Sequence, residues 1–361
     1  DHRDLHSFPT RRSSDLMPSV MRLVWPFIFR VATKSPKIYT YANHPEKAPL
    51  DVRYNLCREA ALTLYRPFRI KYIIKGEENL PEGRVLFCPN HQSDWDCVSM
   101  LMVNKKPAGL LAKLDVSRMP VIDGVLRSVS GDYINRGFPL SELRTINSIG
   151  KKLVANPDMS YFIWPEGTRT PDVIHHTLSE FHSGAFRVAQ TSKAPIVPIA
   201  LFGTYALLDF KSKDKKVYPI QISYLKPIFY DEYKDLRPVQ IAQLVQSRVD
   251  EEVSRQREEQ PKLEEYWNRP ENVKIYKKES KAWYKAYLKE RKAQKKEEKP
   301  RIKEWRKTHP LQPKNSKPKL TKEQKAKIQE MREERNQLVE KFKEQGRLEE
   351  EEKRKQESSS K

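Results

Sequence analysis

His91 and Asp96 lie five residues apart in the segment Asn90-His91-Gln92-Ser93-Asp94-Trp95-Asp96. An imidazole titrates near neutral pH, and a carboxylate that fixes its tautomer turns it into a general base for a hydroxyl proton. On a regular helix, residues five apart sit about 140° apart around the axis and share no face. The pair must therefore straddle a turn and a helix start. A plainer reading of the same residues makes Ser93 an N-cap and Asp96 the acid of a capping box. The segment alone is compatible with both.

The flanking elements must hold that turn in place. Arg84-Val85-Leu86-Phe87-Cys88 is an apolar run with strand character, closed by Pro89. Cys97 to Val103 reads as a buried helix. His91 thus falls where a strand ends and a helix begins, a common place for chemistry in α/β proteins. From Arg69 to Phe229 short strands and helices alternate, with Gly, Pro, Asn and Asp at the junctions. The spacing predicts strands at 69–75, 84–88, 108–112, 132–135, 160–164, 196–202 and 218–226. Helices are predicted at 94–104, 119–129, 140–155 and 184–192. Such alternation implies an α/β sheet covered on both faces.

Three later segments bear on the choice. Gly131-Asp132-Tyr133-Ile134-Asn135-Arg136 is strand-like and ends in a cation. Trp164-Pro165-Glu166-Gly167-Thr168-Arg169 follows the apolar run Tyr161-Phe162-Ile163. Ala194-Pro195-Ile196-Val197-Pro198-Ile199-Ala200 is an apolar strand interrupted by prolines. In this order, with Asn90 to Asp96 first, they resemble the four blocks of the 1-acylglycerol-3-phosphate acyltransferase family: Asn-His-x4-Asp, a second block ending in a cation, Pro-Glu-Gly-Thr-Arg and a block centred on Val-Pro. The resemblance spans roughly residues 65 to 230, and four ordered blocks are far more specific than one motif.

The resemblance implies a central mixed sheet flanked by helices and an O-acyltransferase activity. His91 would take the proton of the acceptor hydroxyl, and Asp96 would orient the ring. The hydroxyl would then attack an acyl thioester, of coenzyme A or acyl carrier protein, with no protein nucleophile. The acceptor would be 1-acylglycerol-3-phosphate (lysophosphatidate) and the product phosphatidate. Substrate contacts would come from Asn90, Lys113, Arg136, Glu166, Gly167, Thr168 and Arg169. Among these, the Glu166-Gly167-Thr168 turn could offer oxyanion donors, since glycine permits close approach. Arg169, with Arg136 and Lys113, could clamp the phosphate. In the bland reading Glu166 and Arg169 brace a loop, and Lys113 and Arg136 are solvated cations. One departure stands out. Phe181-His182-Ser183-Gly184 occupies the place where the family often has Phe-Lys-x-Gly, which removes a phosphate-binding lysine, and His182 and His175-His176 read as surface histidines. Relatives using another lysophospholipid or glycerol-3-phosphate share the same blocks.

Other chemistries fit poorly. No paired Cys/His spacing suggests a metal site, and Cys97 falls on an apolar helix, so neither a metal nor a cysteine nucleophile is expected. No P-loop, dinucleotide fingerprint or Gly-x-Ser-x-Gly occurs, and no cofactor is expected.

The 361 residues carry a net charge of +21, which favours anionic partners such as phosphate-bearing substrates or an acidic membrane surface. Three cysteines point to a reducing compartment without a disulfide framework. No apolar run reaches the roughly 18 to 20 residues of a membrane-spanning helix. Residues 1–16 resemble linker sequence, and 17–66 read as membrane-associating helices. Within these, 17–32 is short, aromatic and flanked by arginines, suiting an interfacial helix, and Tyr54 to Tyr65 could pair with it. The catalytic domain is expected over 67–235 and a capping helix over 236–260. Residues 261–361 read as a charged extension, helical or disordered, in which basic residues outnumber acidic ones more than two to one over 271–330. Trp283, Tyr284, Tyr287 and Trp305 interleave with its lysines, as a membrane interface or nucleic-acid stacking surface would require. Membrane is preferred and nucleic acid is not expected, although a nonenzymatic binding protein acting through this arm is the rival from another class. From Thr321 a heptad-like spacing is too short for a coiled coil. The expected location is the cytoplasmic face of the cell membrane, peripheral or monotopic.

Overall fold

A computed structural model describes residues 34–136, 139–170, 178–208 and 216–311. The segment 17–32, the leader 1–16, His175-His176 and the stretch from Thr321 lie outside the described residues. The elements, in order, are α1 (residues 34–43), α2 (Leu50–Leu62), β1 (Ile70–Lys75), β2 (Leu86–Pro89), α3 (Trp95–Val103) and β3 (Ala108–Lys113). They continue with α4 (Pro120–Ser128), β4 (Asp132–Ile134), α5 (Pro139–Ala155), β5 (Ser160–Phe162), α6 (Arg187–Ser192) and β6 (Ile196–Phe202). The last are β7 (Tyr218–Tyr224), α7 (Tyr230–Tyr233), α8 (Pro238–Asn268) and α9 (Pro270–Thr308).

The seven strands form one mixed sheet in the order β1-β7-β6-β2-β5-β3-β4. All pairs are parallel except β6 with β7. Each predicted strand is present, shortened at an end by one to two residues in most cases. Alternation along the strands builds two cores. In β2, Phe87 faces the layer of α2 and α3 while Leu86 and Cys88 face that of α5, α6 and α8. In β5, Phe162 and Tyr161 divide in the same way, as expected of a sheet covered on both sides. Because β2, β5, β3 and β4 run parallel, their carboxyl ends lie at one end of the sheet. Loops bearing His91, Glu166, Lys113 and Arg136 all leave from that end.

Three helical regions differ from expectation. The stretch expected to pair with a membrane-lying segment becomes α2, which buries Tyr54, Leu56 and Cys57 in the core. Its apolar face is therefore committed to the domain. The capping helix α8 runs to Asn268, eight residues past the expected end, with Pro261 inside it. The charged extension, as far as Thr308, is one 39-residue helix laid against the domain. Beyond Asn272, its buried residues are Val273, Tyr276, Ser280, Tyr287, Arg291 and Glu298, spaced three, four or seven apart as one helical stripe. Trp283 packs on Tyr65 and stacks on Tyr287, and Trp305 donates its indole N–H to the Glu46 carbonyl. Tyr287 and Trp305 are thus engaged by the domain, whereas Trp283 packs on Tyr65 and Tyr287 with 41% of its surface still exposed.

A buried ionic cluster fastens α9 to α2. Glu59 accepts from Lys34 at 2.6 Å, Lys295 at 2.7 Å and Arg291 at 3.3 Å. Arg291, 4% exposed, also holds Glu298 through both terminal nitrogens. Burial by itself raises the Glu59 carboxyl pKa, but hydrogen bonds from Lys295 and Lys34 outweigh it and hold the group below the usual carboxylate range. A depressed folded pKa stabilises above the unfolded value, and that contribution is lost as pH falls through the folded one. Removing one member leaves buried charge uncompensated. Arg291→Ala is accordingly expected to cost about 3 to 5 kcal/mol at neutral pH, read from urea unfolding. A loss below about 1 kcal/mol, the range of an exposed pair, would contradict this account of α9.

Candidate active site

The β2–β6 ladder ends at Pro89 opposite Ile199, and side chains carry the pairing onward. Asn90, fully buried, donates its amide to Leu201 O at 3.0 Å and accepts Leu201 N–H at 2.7 Å. Gln92 Oε1 accepts Gly203 N–H at 3.0 Å. Asp96 Oδ1 accepts the Thr204 hydroxyl in a short hydrogen bond. The turn that bears His91 is thereby locked to the strand beside it.

The other side of the turn is held from β5. Glu166 Oε1 accepts the His91 backbone N–H at 2.6 Å, and Thr170 N–H donates to His91 O at 2.8 Å. Glu166 Oε2 accepts the Thr170 hydroxyl at 2.8 Å and Ser179 N–H at 2.9 Å. Burial raises the Glu166 carboxyl pKa, against those three donors and the nearby His91. Gly167 closes this loop with φ +68°, a left-handed conformation suited to glycine, and its N–H donates to Trp164 O at 3.1 Å. A Cβ there would fall 2.8 Å from the His182 ring and 3.8 Å from the Arg136 guanidinium carbon.

Between these brackets the His91 ring meets Asp96. His91 Nδ1 is 2.7 Å from Asp96 Oδ2, which also accepts Gln92 N–H at 2.7 Å and Ser93 N–H at 2.9 Å. Ser93 Oγ in turn accepts Trp95 N–H at 3.2 Å. The capping and orienting readings are therefore both realised in one carboxylate. With two backbone amides and the Thr204 hydroxyl donating to a wholly buried Asp96, the carboxylate accepts from four groups when His91 Nδ1 carries its proton. That tautomer leaves Nε2 basic. Nε2 has no protein partner among the described residues, and the His91 side chain is 16% exposed. The Trp164 ring lies 5.9 Å from the His91 ring, centre to centre.

The predicted site residues thus divide into two groups. Asn90 and Glu166 were expected to touch substrate. Instead they are buried with their side-chain oxygens engaged by the chain, so they are positioning residues for His91. Gly167 is likewise committed, through its N–H, to the turn. Lys113, Thr168, Arg136 and Arg169 are exposed at the same end of the sheet. Arg169 pairs with Asp94 at 3.2 Å, both side chains being more than half exposed, rather than with Glu166. Sequence reasoning missed Thr204 and Gln92. Their signal is weak: Thr204 follows a strand by two residues, and a polar residue after a glycine reads as an ordinary turn.

Cys88 and Cys97 do not compete for the chemistry, since burial pushes both thiols up. Among the described residues, no group of three His, Cys, Asp or Glu side chains is placed to hold a metal ion.

Thr204→Val removes one donor from a buried carboxylate oxygen and keeps the side-chain shape. It is expected to cost about 1 to 3 kcal/mol in chemical denaturation, with unchanged circular dichroism. Undiminished stability would contradict the assignment of Thr204 to Asp96.

Residues 71–202 match the family model described as Acyltransferase. The probable 1-acyl-sn-glycerol-3-phosphate acyltransferase of Mycoplasma pneumoniae is 24% identical over 214 residues, covering 56% of this chain and 78% of that protein. The 1-acyl-sn-glycerol-3-phosphate acyltransferase of Saccharomyces cerevisiae is 30% identical over 139 residues, 38% of this chain and 45% of the yeast protein. Apart from the mycoplasma protein, the chain spans about half the length of the curated relatives it matches. The solved structure of the 1-acyl-sn-glycerophosphate (LPA) acyltransferase PlsC from Thermotoga maritima is similar with a TM-score of 0.46 and 19% identity, over 56% of this chain and 78% of that one.

Proposed function

From the match of residues 71–202 to the acyltransferase family model, we propose that this chain transfers a fatty acyl group from a thioester to the free hydroxyl of 1-acylglycerol-3-phosphate, forming phosphatidate. The observation that carries the reading is the 2.7 Å contact of His91 Nδ1 with the buried Asp96, which leaves Nε2 as the base. In the proposed reaction Nε2 takes the hydroxyl proton as the acceptor oxygen attacks the thioester carbonyl. The C–S bond then breaks, and the departing thiolate is protonated by the imidazolium. Asp96 stabilises that imidazolium without taking its proton. No cofactor takes part, and the donor is acyl-CoA or an acyl carrier protein thioester.

The exposed cations at the sheet end give the acceptor phosphate its partners. Arg169 suits the role, because its exposed contact with Asp94 is of the kind that contributes little and yields readily to a bidentate phosphate. Arg136 beside Gly167 and Lys113 at the end of β3 complete the set. With the Gly167 N–H closed on Trp164, the amides of Thr168 and Arg169 are the donors this turn offers an oxyanion. The positive charge at this end favours a phosphate-bearing acceptor, and Tyr287 and Trp305, on which the nonenzymatic reading leaned in part, are engaged by the domain.

Among the described residues no helix is long and apolar enough to cross a membrane. We place the protein peripherally on the cytoplasmic face, where an amphiphilic acceptor lies in the bilayer.

Purified chain offered lysophosphatidate, other lysophospholipids and glycerol-3-phosphate, with each donor, is expected to yield phosphatidate as its main product. A different dominant product would overturn the acceptor assignment. Asp96→Asn keeps one acceptor oxygen for the turn, removes the charge and makes the other oxygen an amide donor, which the Thr204 hydroxyl can accept. It is expected to fold and to lose about 10²- to 10⁴-fold in kcat, and a rate within threefold of wild type would sink the proposed role of Asp96.

A further inference from the structure

Six of the fourteen large apolar side chains that stand exposed among the described residues fall between positions 114 and 143. Leu114, Met119, Val121, Ile122, Leu140 and Leu143 are 37–73% exposed. The first four lie on the 3-10 turn Leu114–Arg118 and the first turn of α4. The inner side of α4 is occupied: Leu126 joins the core, Gly124 rests on the Tyr39 ring, and Arg127 reaches Asn43 and the Ala42 carbonyl. Its outer side carries Val121 and Ile122. Tyr133 ties this lip to the start of α5, donating its hydroxyl to Asp123 at 2.6 Å and accepting from Thr145 through its carbonyl at 3.5 Å. Leu140 and Leu143 therefore belong to the same end of the molecule.

That end is the one from which the His91 loop leaves. The 3-10 turn directly follows β3, and α5 closely follows β4, parallel neighbours of β5 and β2. Cations rim the lip. Lys113, Arg118 and Arg144 are exposed and have no ion-pair partner among the described residues. Of the acids, Asp123 is paired with Arg127 at 2.8 Å and Asp132 with Lys152 at 2.5 Å. Asp115 is exposed and opposes the rim, and Glu142, half-buried in the first turn of α5, lies within reach of the Arg136 charge. Aliphatic tips on a short turn, ringed by long basic side chains, match the layering of a bilayer: apolar atoms below the headgroups, cations among anionic phosphates.

We propose that the lip formed by Leu114–Ile122 and the first turn of α5 inserts into the surface of an anionic bilayer, seating the sheet end that bears His91 on the membrane. This deepens the acyl-transfer reading and rests on it for its purpose. The acceptor's acyl chain then need not leave the bilayer for its hydroxyl to reach Nε2.

The test measures partition of the full chain onto phosphatidylcholine vesicles, with and without phosphatidylglycerol, without turnover. Acyl transfer could therefore fail while this result stands, or the reverse. Wild type is expected to bind the anionic vesicles, and Met119→Asp/Ile122→Asp to bind at least about tenfold more weakly. Val239→Asp/Leu288→Asp, which charges exposed apolar positions elsewhere, is expected to bind as wild type. Equal binding by all three proteins, or equal loss in both variants, overturns the proposal. A second measurement does not depend on the charged variants folding: Met119→Cys/Cys97→Ala carrying an environment-sensitive fluorophore, the half-buried Cys97 being removed and the native Cys57 and Cys88 being buried. A blue shift on adding anionic vesicles is expected. No shift, an emission already blue without lipid because protein covers the lip, or a blue shift that tracks self-association instead of lipid, would each overturn it.

Discussion

Asp96 is a carboxylate sealed from solvent, and the site is arranged around satisfying it. A buried charge without partners is strongly destabilising, so it draws in the amides of Gln92 and Ser93, the Thr204 hydroxyl and the His91 ring. Those donors come from the turn after β2 and from the end of β6. Satisfying the carboxylate therefore fixes the turn, the first residues of α3 and the tautomer of His91 together. Orientation of the His91 ring is a consequence of capping the helix, not an alternative to it.

Around that carboxylate the neighbouring strands act as two clamps. Asn90 continues the β2–β6 ladder by imitating a peptide group, and Glu166 with Thr170 grips both backbone polar atoms of His91. A histidine whose main chain is held on both sides and whose ring is bound at Nδ1 has little freedom except at Nε2, the kind of preorganisation the proposed role as base would draw on. The exposed cations stand apart from this rigid part. Their long side chains are exposed at that end, Arg169 being held only by its solvent-exposed contact with Asp94.

Much of this was readable from residue order. The seven strands follow from short apolar runs bounded by turn residues, and the parallel order brings four loops to one end. The His91–Asp96 pairing follows from a strand-turn-helix reading. What was hidden is direction. Asn90 and Glu166 are polar, and nothing in their types says whether the side chain points into the protein or toward a ligand; the neighbouring backbone donors decide it. The C-terminal region shows the same difficulty in another form. The buried stripe of α9 has helical spacing, but Ser280, Arg291 and Glu298 interrupt its apolar character, and Pro300 sits within the helix. Its partner Glu59 lies more than two hundred residues away, so a contact that makes a charged helix part of the domain leaves no local trace.

The domain thus joins a rigidly held His91–Asp96 pair to a cationic and apolar rim at one sheet end. The most direct measurement of the central claim is the rate of acyl transfer from acyl-CoA to lysophosphatidate by His91→Ala, with folding checked by circular dichroism. If Nε2 is the base, the variant folds and its rate falls by about 10²- to 10⁴-fold. A folded variant that transfers the acyl group at near wild-type rate would contradict the account.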